Sequence, residues 1–501
     1  MSIDGSKQIK IGAILSYLSI GINIIAGLLY TPWMIEQVGS GNYGLYTLAN
    51  SLITLFMVDF GLSAATSRYI SKYRAENNQQ KIDDFLGAIY KLYLLIDIII
   101  FTALLIFYLF LDSIYVKLSP EELEKFKVVY IIAASFAVVN FPFVTLNGIL
   151  NAYEKFIQLK IADIIYRLLL VLITVVMLLC GYGLYALVFI NAVVGLIVVI
   201  YKLVVISKNT PIKINWSYRE RSLYRDVFGF SIWVTVASLA QRLIFNITPS
   251  VLGIVADSQA IAVFGIVVVI EGYTFTVTSA INGMFMPKIS RIQENGSDIM
   301  PLMLNVGRFQ YALNGLIVAG FFVIGQGFIN LWMDPSYSDA YYGILLVIIP
   351  GLFFNSLEIA NTAMVVQKKV KIQAYIAIVT GVTNIVLSLV LSSFFGVLGA
   401  CISICIAYMV RSIAYIIVYR RVMHYDMRTF IHKCYVQMSV PILLSIAAGI
   451  IMNRLVEDSD WLSLGIKGFA VTLVYFVTLW FGALSKEDRR TLLQLKKIGG
   501  S

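Results

Sequence analysis

Apolar runs of span length recur from one end of this chain to the other, and that feature leaves few folds open to it. A stretch of about 20 predominantly apolar residues is long enough to cross the hydrocarbon core of a bilayer as a helix. Fourteen such runs can be counted, at about 11–36, 43–70, 85–111, 127–150, 160–181, 183–206, 226–254, 260–285, 303–331, 340–366, 372–394, 397–419, 434–454 and 463–484. Backbone polar groups in hydrocarbon must be satisfied within the chain, so the expected fold is an all-α polytopic membrane protein. Only 13% of the 501 residues are charged and 59% are hydrophobic, which excludes a soluble domain.

The net charge of +10 would suggest nucleic acid in a soluble protein, but here the cations fall between the runs and are read as topology. With Lys7 and Lys10 taken as cytoplasmic, the inner segments collect Arg68, Lys72, Arg74 and Lys81; Lys155, Lys160 and Arg167; Lys202 to Arg225; Lys288, Arg291 and Arg308; Lys368 to Lys371; Arg411 to Lys433; and Lys486 to Lys497. The outer segments hold little beyond Lys117, Lys125 and Lys127. The bias predicts both termini inside. The first run has no small-residue cleavage site after it and is expected to be a retained helix. Cys180, Cys401, Cys405 and Cys434 lie in or beside apolar runs without metal-ligand spacing, so neither a disulfide framework nor a zinc site is expected. His424 and His432 share one inner loop with no ligand partners at suitable spacing.

The longest internal polar segment, 207–226, is basic and interrupted by Pro211, and it divides the chain into halves that repeat. Thr31-Pro32 followed by Val38 returns as Thr248-Pro249 followed by Val255, an offset of 217, and Glu154-Lys155 before Gly183 returns as Gln367-Lys368 before Gly396, an offset of 213. The expected organisation is a six-helix bundle over 1–206, a cytoplasmic linker over 207–225, a second six-helix bundle in the same orientation over 226–419, and over 420–501 a cytoplasmic loop, an added helix pair and a basic tail. Two parallel repeats of this kind generally hold their substrate between them and alternate access by rocking, which makes a transporter the leading class.

Ionisable residues inside spans are expensive and mark either function or a buried pair. Arg242 lies near the middle of the seventh run, too far from either end to reach water easily, where a guanidinium facing a cavity would grip phosphate on two donors. The alternative is a structural pair with Glu271 in the eighth run. Glu271 and Glu358 either bind a coupling cation or proton, or are satisfied by Arg242, by Asn355 and Asn361, or by water. Asp59 and Asp97 either form a cation site together or each hold a backbone kink. Asn23, Asn140, Asn147, Asn246, Asn282 and Asn384 are expected to bond between helices. Pro32, Pro142, Pro249, Pro350 and Pro441 are expected to kink theirs. No nucleophile, glycine-rich phosphate loop or acid pair stands out, so an enzyme is not expected.

Four stretches carry a resemblance. They are Tyr43-Gly44-Leu45-Tyr46 leading to Asp59-Phe60-Gly61-Leu62 and Arg68-Tyr69-Ile70; Asn151-Ala152-Tyr153-Glu154-Lys155-Phe156; Met286-Pro287-Lys288-Ile289-Ser290-Arg291; and Leu331-Trp332-Met333-Asp334-Pro335-Ser336-Tyr337 through Ala340-Tyr341. In order and spacing the chain resembles the Wzx-type oligosaccharide flippases of the multidrug/oligosaccharidyl-lipid/polysaccharide (MOP) superfamily. The resemblance implies export of an undecaprenyl-pyrophosphate-linked oligosaccharide from the cytoplasmic to the outer leaflet of a bacterial inner membrane, for capsule, O-antigen or another surface polymer. It also implies a cationic central cavity, association with other polysaccharide assembly proteins, and no cofactor beyond a coupling Na+ or H+. Arg242, with Glu271 and Asn246, is the candidate substrate site; Asp59, Asp97 and Glu358 are candidates for ion coupling. A cation-coupled multidrug exporter stays open, although it would need an acid deep in the first run, where only Glu36 at the outer end is available. A membrane glycan polymerase or ligase would need a sizeable outer loop with clustered catalytic residues.

Overall fold

The computed structural model describes residues 5–218, 221–279, 285–367, 369–457 and 460–484. Of the residues weighed above, Arg219, Asn282, Lys368 and the tail from Lys486 lie outside the described residues, as do the side chains of Lys7, Lys10, Arg221, Arg225, Met286 and Pro287. The described chain is helical throughout, without a strand. In order the helices are α1 (Gly5–Val38), α2 (Ser40–Phe56), α3 (Leu62–Ala75), α4 (Gln79–Leu109), α5 (Leu111–Ile114), α6 (Pro120–Asn140), α7 (Thr145–Ala152), α8 (Phe156–Leu179), α9 (Leu184–Asn209), α10 (Arg221–Phe245), α11 (Thr248–Val255), α12 (Ser258–Ser279), α13 (Met286–Glu294), α14 (Met300–Trp332), α15 (Asp339–Asn355), α16 (Glu358–Val366), α17 (Val370–Arg421), α18 (Met427–Phe430), α19 (Gln437–Leu455) and α20 (Trp461–Thr478). Eleven helical segments among the described residues are long and apolar enough to cross a membrane. The chain forms two compact units, Met1–Gly265 and Ile266–Ser501, with the division inside α12.

Local chemistry sets the ends of these helices. Ser119 and Glu122 close a reciprocal capping box at the start of α6, with Pro120 in its first turn, where a missing N–H costs nothing. Asp460 and Ser463 do the same for α20. Between runs 160–181 and 183–206, and between runs 372–394 and 397–419, the chain turns at Gly181 and Gly396, glycines of positive φ, +85° and +54°, a region L side chains rarely adopt. Gly396 thereby divides the 52-residue α17 into two of the runs read from the sequence.

The structure corrects the reading of run 43–70 as one helix. It is two helices, α2 and α3, separated at Met57–Gly61, where Phe60 and Gly61 have φ of +52° and +67°. Two consecutive left-handed residues cannot propagate a right-handed helix. Run 226–254 is likewise divided at Asn246 and Ile247, ahead of Pro249 in the first turn of α11, and run 127–150 passes through a 3₁₀ turn at Phe141–Val144 that contains Pro142. Pro32, Pro350 and Pro441 stay inside α1, α15 and α19. The break before α7 has a counterpart between α15 and α16, and Thr145 and Glu358, which open α7 and α16, are separated by the 213-residue offset seen in the sequence.

Within the first unit, the segment 210–218 is fastened to the start of α4. The Asn215 amide donates to Asp84 Oδ1 at 2.6 Å, and the Lys213 N–H donates to Asp83 Oδ1 at 2.9 Å. A Cβ at Gly87 would sit 1.8 Å from the Asn215 carbonyl oxygen, so only glycine lets the two backbones meet. Elsewhere in that unit α2 packs on α11, and a Cβ at Gly44 would lie 2.0 Å from the Ser258 carbonyl oxygen. Glu122 accepts from the Ser258 hydroxyl, and Tyr115 and Ser250 share a hydroxyl bond of 2.6 Å beside them. Within the second unit, α19 and α20 pack along α14. Tyr475 donates to the Ala312 carbonyl at 2.6 Å, Asn453 to the Val323 carbonyl at 3.2 Å, and Tyr311 shares a 2.7 Å bond with Ser439.

Candidate substrate and ion sites within the spans

A helix that stops leaves its last carbonyls without N–H partners. At the end of α2 those carbonyls are answered by Arg242. Its Nη1 donates to Thr54 O and, at 3.0 Å, to Met57 O. Asp59, in the break itself, accepts the Tyr93 hydroxyl at 2.6 Å on Oδ1 and the Ser63 N–H, in the first turn of α3, at 3.2 Å on Oδ2. Arg242 and Asp59 lie within electrostatic reach of one another. The guanidinium therefore finds its partners in its own unit, on the stretch that carries the Asp-Phe-Gly-Leu sequence. One nitrogen is committed, and the half-buried head keeps an edge for other acceptors. Asn246 follows one turn later, in the break between α10 and α11, where its N–H donates to the Arg242 carbonyl at 2.9 Å. The structure thus brings Arg242 and Asp59 together at the junction of two interrupted helices, with Asn246 tied to Arg242 through the backbone.

Asp97 stands one helical turn beyond Tyr93 on α4, which continues past it without a break. Its Oδ1 is buried without a hydrogen-bond partner among the described residues. Glu271 lines a recess of about 20 Å³ in the second unit, with Thr274, Phe275, Gly351, Asn355 and Tyr408 around it. Asn355 extends that polar patch by donating to Thr278 Oγ1 and Asn314 Oδ1, both at 3.3 Å. Glu358 opens α16, accepts from Asn361 at 3.4 Å and lies within electrostatic reach of Arg411. Arg411 was counted from sequence as an inner-loop cation. It is instead inside α17, 7% exposed, with its guanidinium 3.9 Å over the Phe354 ring. Its distance from the Arg420-Arg421 end of the same helix was the signal that could have separated it from the loop cations. No group of three or more potential metal ligands occurs among the described residues.

The model of the family described as "Polysaccharide biosynthesis protein" matches residues 9–293, more than half of the chain. The chain belongs to that family. No curated protein matches the chain significantly. Among solved structures, the lipid II flippase MurJ in an inward closed conformation is similar over 94% of this chain and 98% of its own, with a TM-score of 0.73 and 13% identity. An inward-facing MATE-family multidrug resistance transporter of the MOP superfamily is similar over 83% and 99%, with a TM-score of 0.70 and 12% identity. A MOP superfamily transporter from Pyrococcus furiosus is similar over 84% and 96%, with a TM-score of 0.59 and 14% identity. At these identities the likeness shows the fold: this chain is folded like MurJ and the MATE-family transporter. With eleven helical segments among the described residues long and apolar enough to cross a membrane, it is a multi-pass membrane protein of the polysaccharide biosynthesis family.

In this member of the polysaccharide biosynthesis family, Arg74, at the end of α3 and four residues beyond the first of the stretches that carried the resemblance, donates to the Ala152 carbonyl and stacks 4.3 Å over the Tyr153 ring, both in the second stretch. A polar hollow of about 670 Å³ lies beside them, bordered by Asn77, Asn78 and Glu154. In the fourth stretch, Asp334 accepts the Ser336 N–H at 2.9 Å and caps the turn Pro335–Tyr337.

Proposed function

We propose that this protein is a transporter that flips an anionic, undecaprenyl-pyrophosphate-linked oligosaccharide from the cytoplasmic to the outer leaflet of a bacterial plasma membrane by alternating access, supplying surface polysaccharide assembly. The observation that carries the reading is Arg242: a guanidinium set well inside a span, steadied by two backbone carbonyls and Asp59, with an edge still available. That arrangement holds the cation in place without consuming its capacity for a diphosphate, whose oxygens match the guanidinium fork. Asn246 adds an amide one turn away, and Glu271, Asp97 and Glu358 are the acids through which an exchanged Na+ or H+ would act. The basic inner loops concentrate the head group at the entry side. With the cell interior negative, outward movement of each negative charge gains about 2.3 kcal/mol per 100 mV.

The test is reconstituted flipping of a defined polyprenyl-diphosphate sugar, with complementation of a flippase-deficient strain alongside. Arg242→Ala at normal expression should fail in both; restored surface polymer would remove Arg242 from the substrate site. A second reading, a cation-coupled multidrug exporter, draws on the likeness to MATE transporters and on the unpartnered Oδ1 of Asp97. Against it, the one acid near the end of α1, Glu36, is exposed. Dye efflux that depends on Asp97 would favour that reading, and accumulation of lipid-linked sugar in a deletion strain would count against it.

A further inference from the structure

The first unit contains a cavity of about 640 Å³ at the meeting of α1, the α6–α7 junction, α8 and α9. Three asparagines that are scattered in sequence, Asn23, Asn140 and Asn147, line it together with Arg167 and Lys202. Arg167, within run 160–181, is eleven residues into α8, about 16 Å along the helix, and Lys202, within run 183–206, is seven residues before the end of α9. Two cations at such depth are costly unless they face water, a partner or a ligand.

Their engagements leave most of their donors unused among the described residues. Arg167 reaches the Asn23 carbonyl through Nη2 at a long 3.4 Å, and its Nε is buried without a partner. Lys202 donates once, to Asn147 Oδ1 at 2.9 Å, from a group that carries three protons. The carboxylate of Asp163 also borders the cavity; it is paired with Lys160 at 3.2 Å and lies within electrostatic reach of Lys202. Tyr166, the remaining polar neighbour on α8, donates away to Asn191 at 2.5 Å. Asn147 is bonded through its oxygen and so keeps its amide N–H groups as donors, whereas Asn140 has its Oδ1 buried without a partner among the described residues and its Nδ2 beside Gly195. At Gly195 a Cβ would meet only Asn140 Nδ2, at 3.5 Å, so the absence of a side chain there leaves the volume open.

A cavity of this size, edged by two cations and amide donors, matches an anion with many acceptor oxygens. We propose that it is a binding site for a phosphate or diphosphate group, distinct from the neighbourhood of Arg242 and built within the first helical unit. The group can come from a polyprenyl diphosphate, from a phospholipid head group or from free pyrophosphate; the chemistry recognised is the same.

The test is binding of inorganic pyrophosphate to the purified full-length protein, measured by isothermal titration at fixed salt, with geranylgeranyl diphosphate and dihexanoyl-phosphatidylglycerol as competitors. Arg167→Gln and Lys202→Met should each weaken pyrophosphate binding by about tenfold or more, the loss of one charge-assisted interaction. Arg167→Lys should recover part of the loss, and Gly195→Leu, which fills the cavity and keeps both cations, should weaken binding as well. On the transport assignment Arg242→Ala removes a second, independent pyrophosphate-binding event and leaves in place the one that Arg167→Gln and Lys202→Met weaken, so failure of the transport assignment and failure of this one give different results. Displacement by geranylgeranyl diphosphate alone identifies a polyprenyl source, and equal displacement by the short phospholipid identifies a general head-group site. Absent pyrophosphate binding, or unchanged affinity in both cation variants that retain the wild-type elution profile, overturns the proposal.

Discussion

Replacing Arg242 by alanine perturbs two things at once, and the structure shows how to separate them. The guanidinium satisfies Thr54 O and Met57 O at the end of α2 and sits beside Asp59. Removing one member of a fully buried ion pair costs roughly 3–5 kcal/mol, largely because the other charge is left behind. Arg242 is half-buried, so water takes over part of its role, and the expected loss is about 1–3 kcal/mol. Arg242→Ala should therefore lower the thermal unfolding midpoint in detergent as well as abolish flipping. Adding Asp59→Asn removes the stranded charge while keeping an oxygen for the Ser63 N–H, and its amide can donate to the Tyr93 hydroxyl in place of accepting from it. The double variant should regain much of the lost stability, read by fluorescence-detected size exclusion after heating, and should still not flip the lipid-linked sugar. If transport returns together with stability, the guanidinium served the break between α2 and α3 and not the substrate.

Three further outcomes follow from the packing of the first unit. Gly44→Ala should prevent recovery of monodisperse protein, because its Cβ would lie 2.0 Å from the Ser258 backbone oxygen; Gly41→Ala, 3.2 Å from the Ser258 hydroxyl, should be tolerated. Asp84→Ala removes the 2.6 Å bond to Asn215 and costs about 1–2 kcal/mol locally, seen as faster proteolysis within 210–218 with little change elsewhere. At Glu122, burial pushes the carboxyl up, but hydrogen bonds from Ser258 and Ser119 outweigh it and hold the group below its ordinary value of 4.5. A depressed acid contributes stability above its unfolded value and loses it as pH falls through the folded one. The unfolding midpoint should thus decline below about pH 4.5, and Glu122→Gln should flatten that decline; an identical slope in the variant would refute the linkage.

Much of the fold was legible because the bilayer makes length and hydrophobicity decisive. The Gly181 and Gly396 reversals and the 213-residue offset were all readable. The breaks were not: Val58 through Leu62 contains no proline, and nothing in its hydrophobicity distinguishes two left-handed residues from helix. Asp-Phe-Gly-Leu carries part of the family resemblance, but its backbone consequence is not visible in its residue types. Charges inside helices were misplaced for a related reason. Arg167 and Arg411 were assigned to inner segments by proximity to other cations, whereas α8 and α17 carry them inward to partners that only tertiary packing brings near. The asparagines at 23, 140 and 147 were visible singly, but their convergence depends on how α1, α6, α8 and α9 assemble.

The interruption at Met57–Gly61 also bears on how force passes through this unit. A continuous helix transmits tilt because each carbonyl is bonded to the next turn. Across these residues that ladder is absent, and the pieces are moored separately, α2 by its last carbonyls to Arg242 on α10, and α3 through Asp59 to Tyr93 on α4. Because α10 packs on α3 as well as α2 and its Arg242 faces Asp59 in the break, a displacement of α10 acts at the pivot itself, where the two halves of the crossing are free of a shared hydrogen-bond ladder.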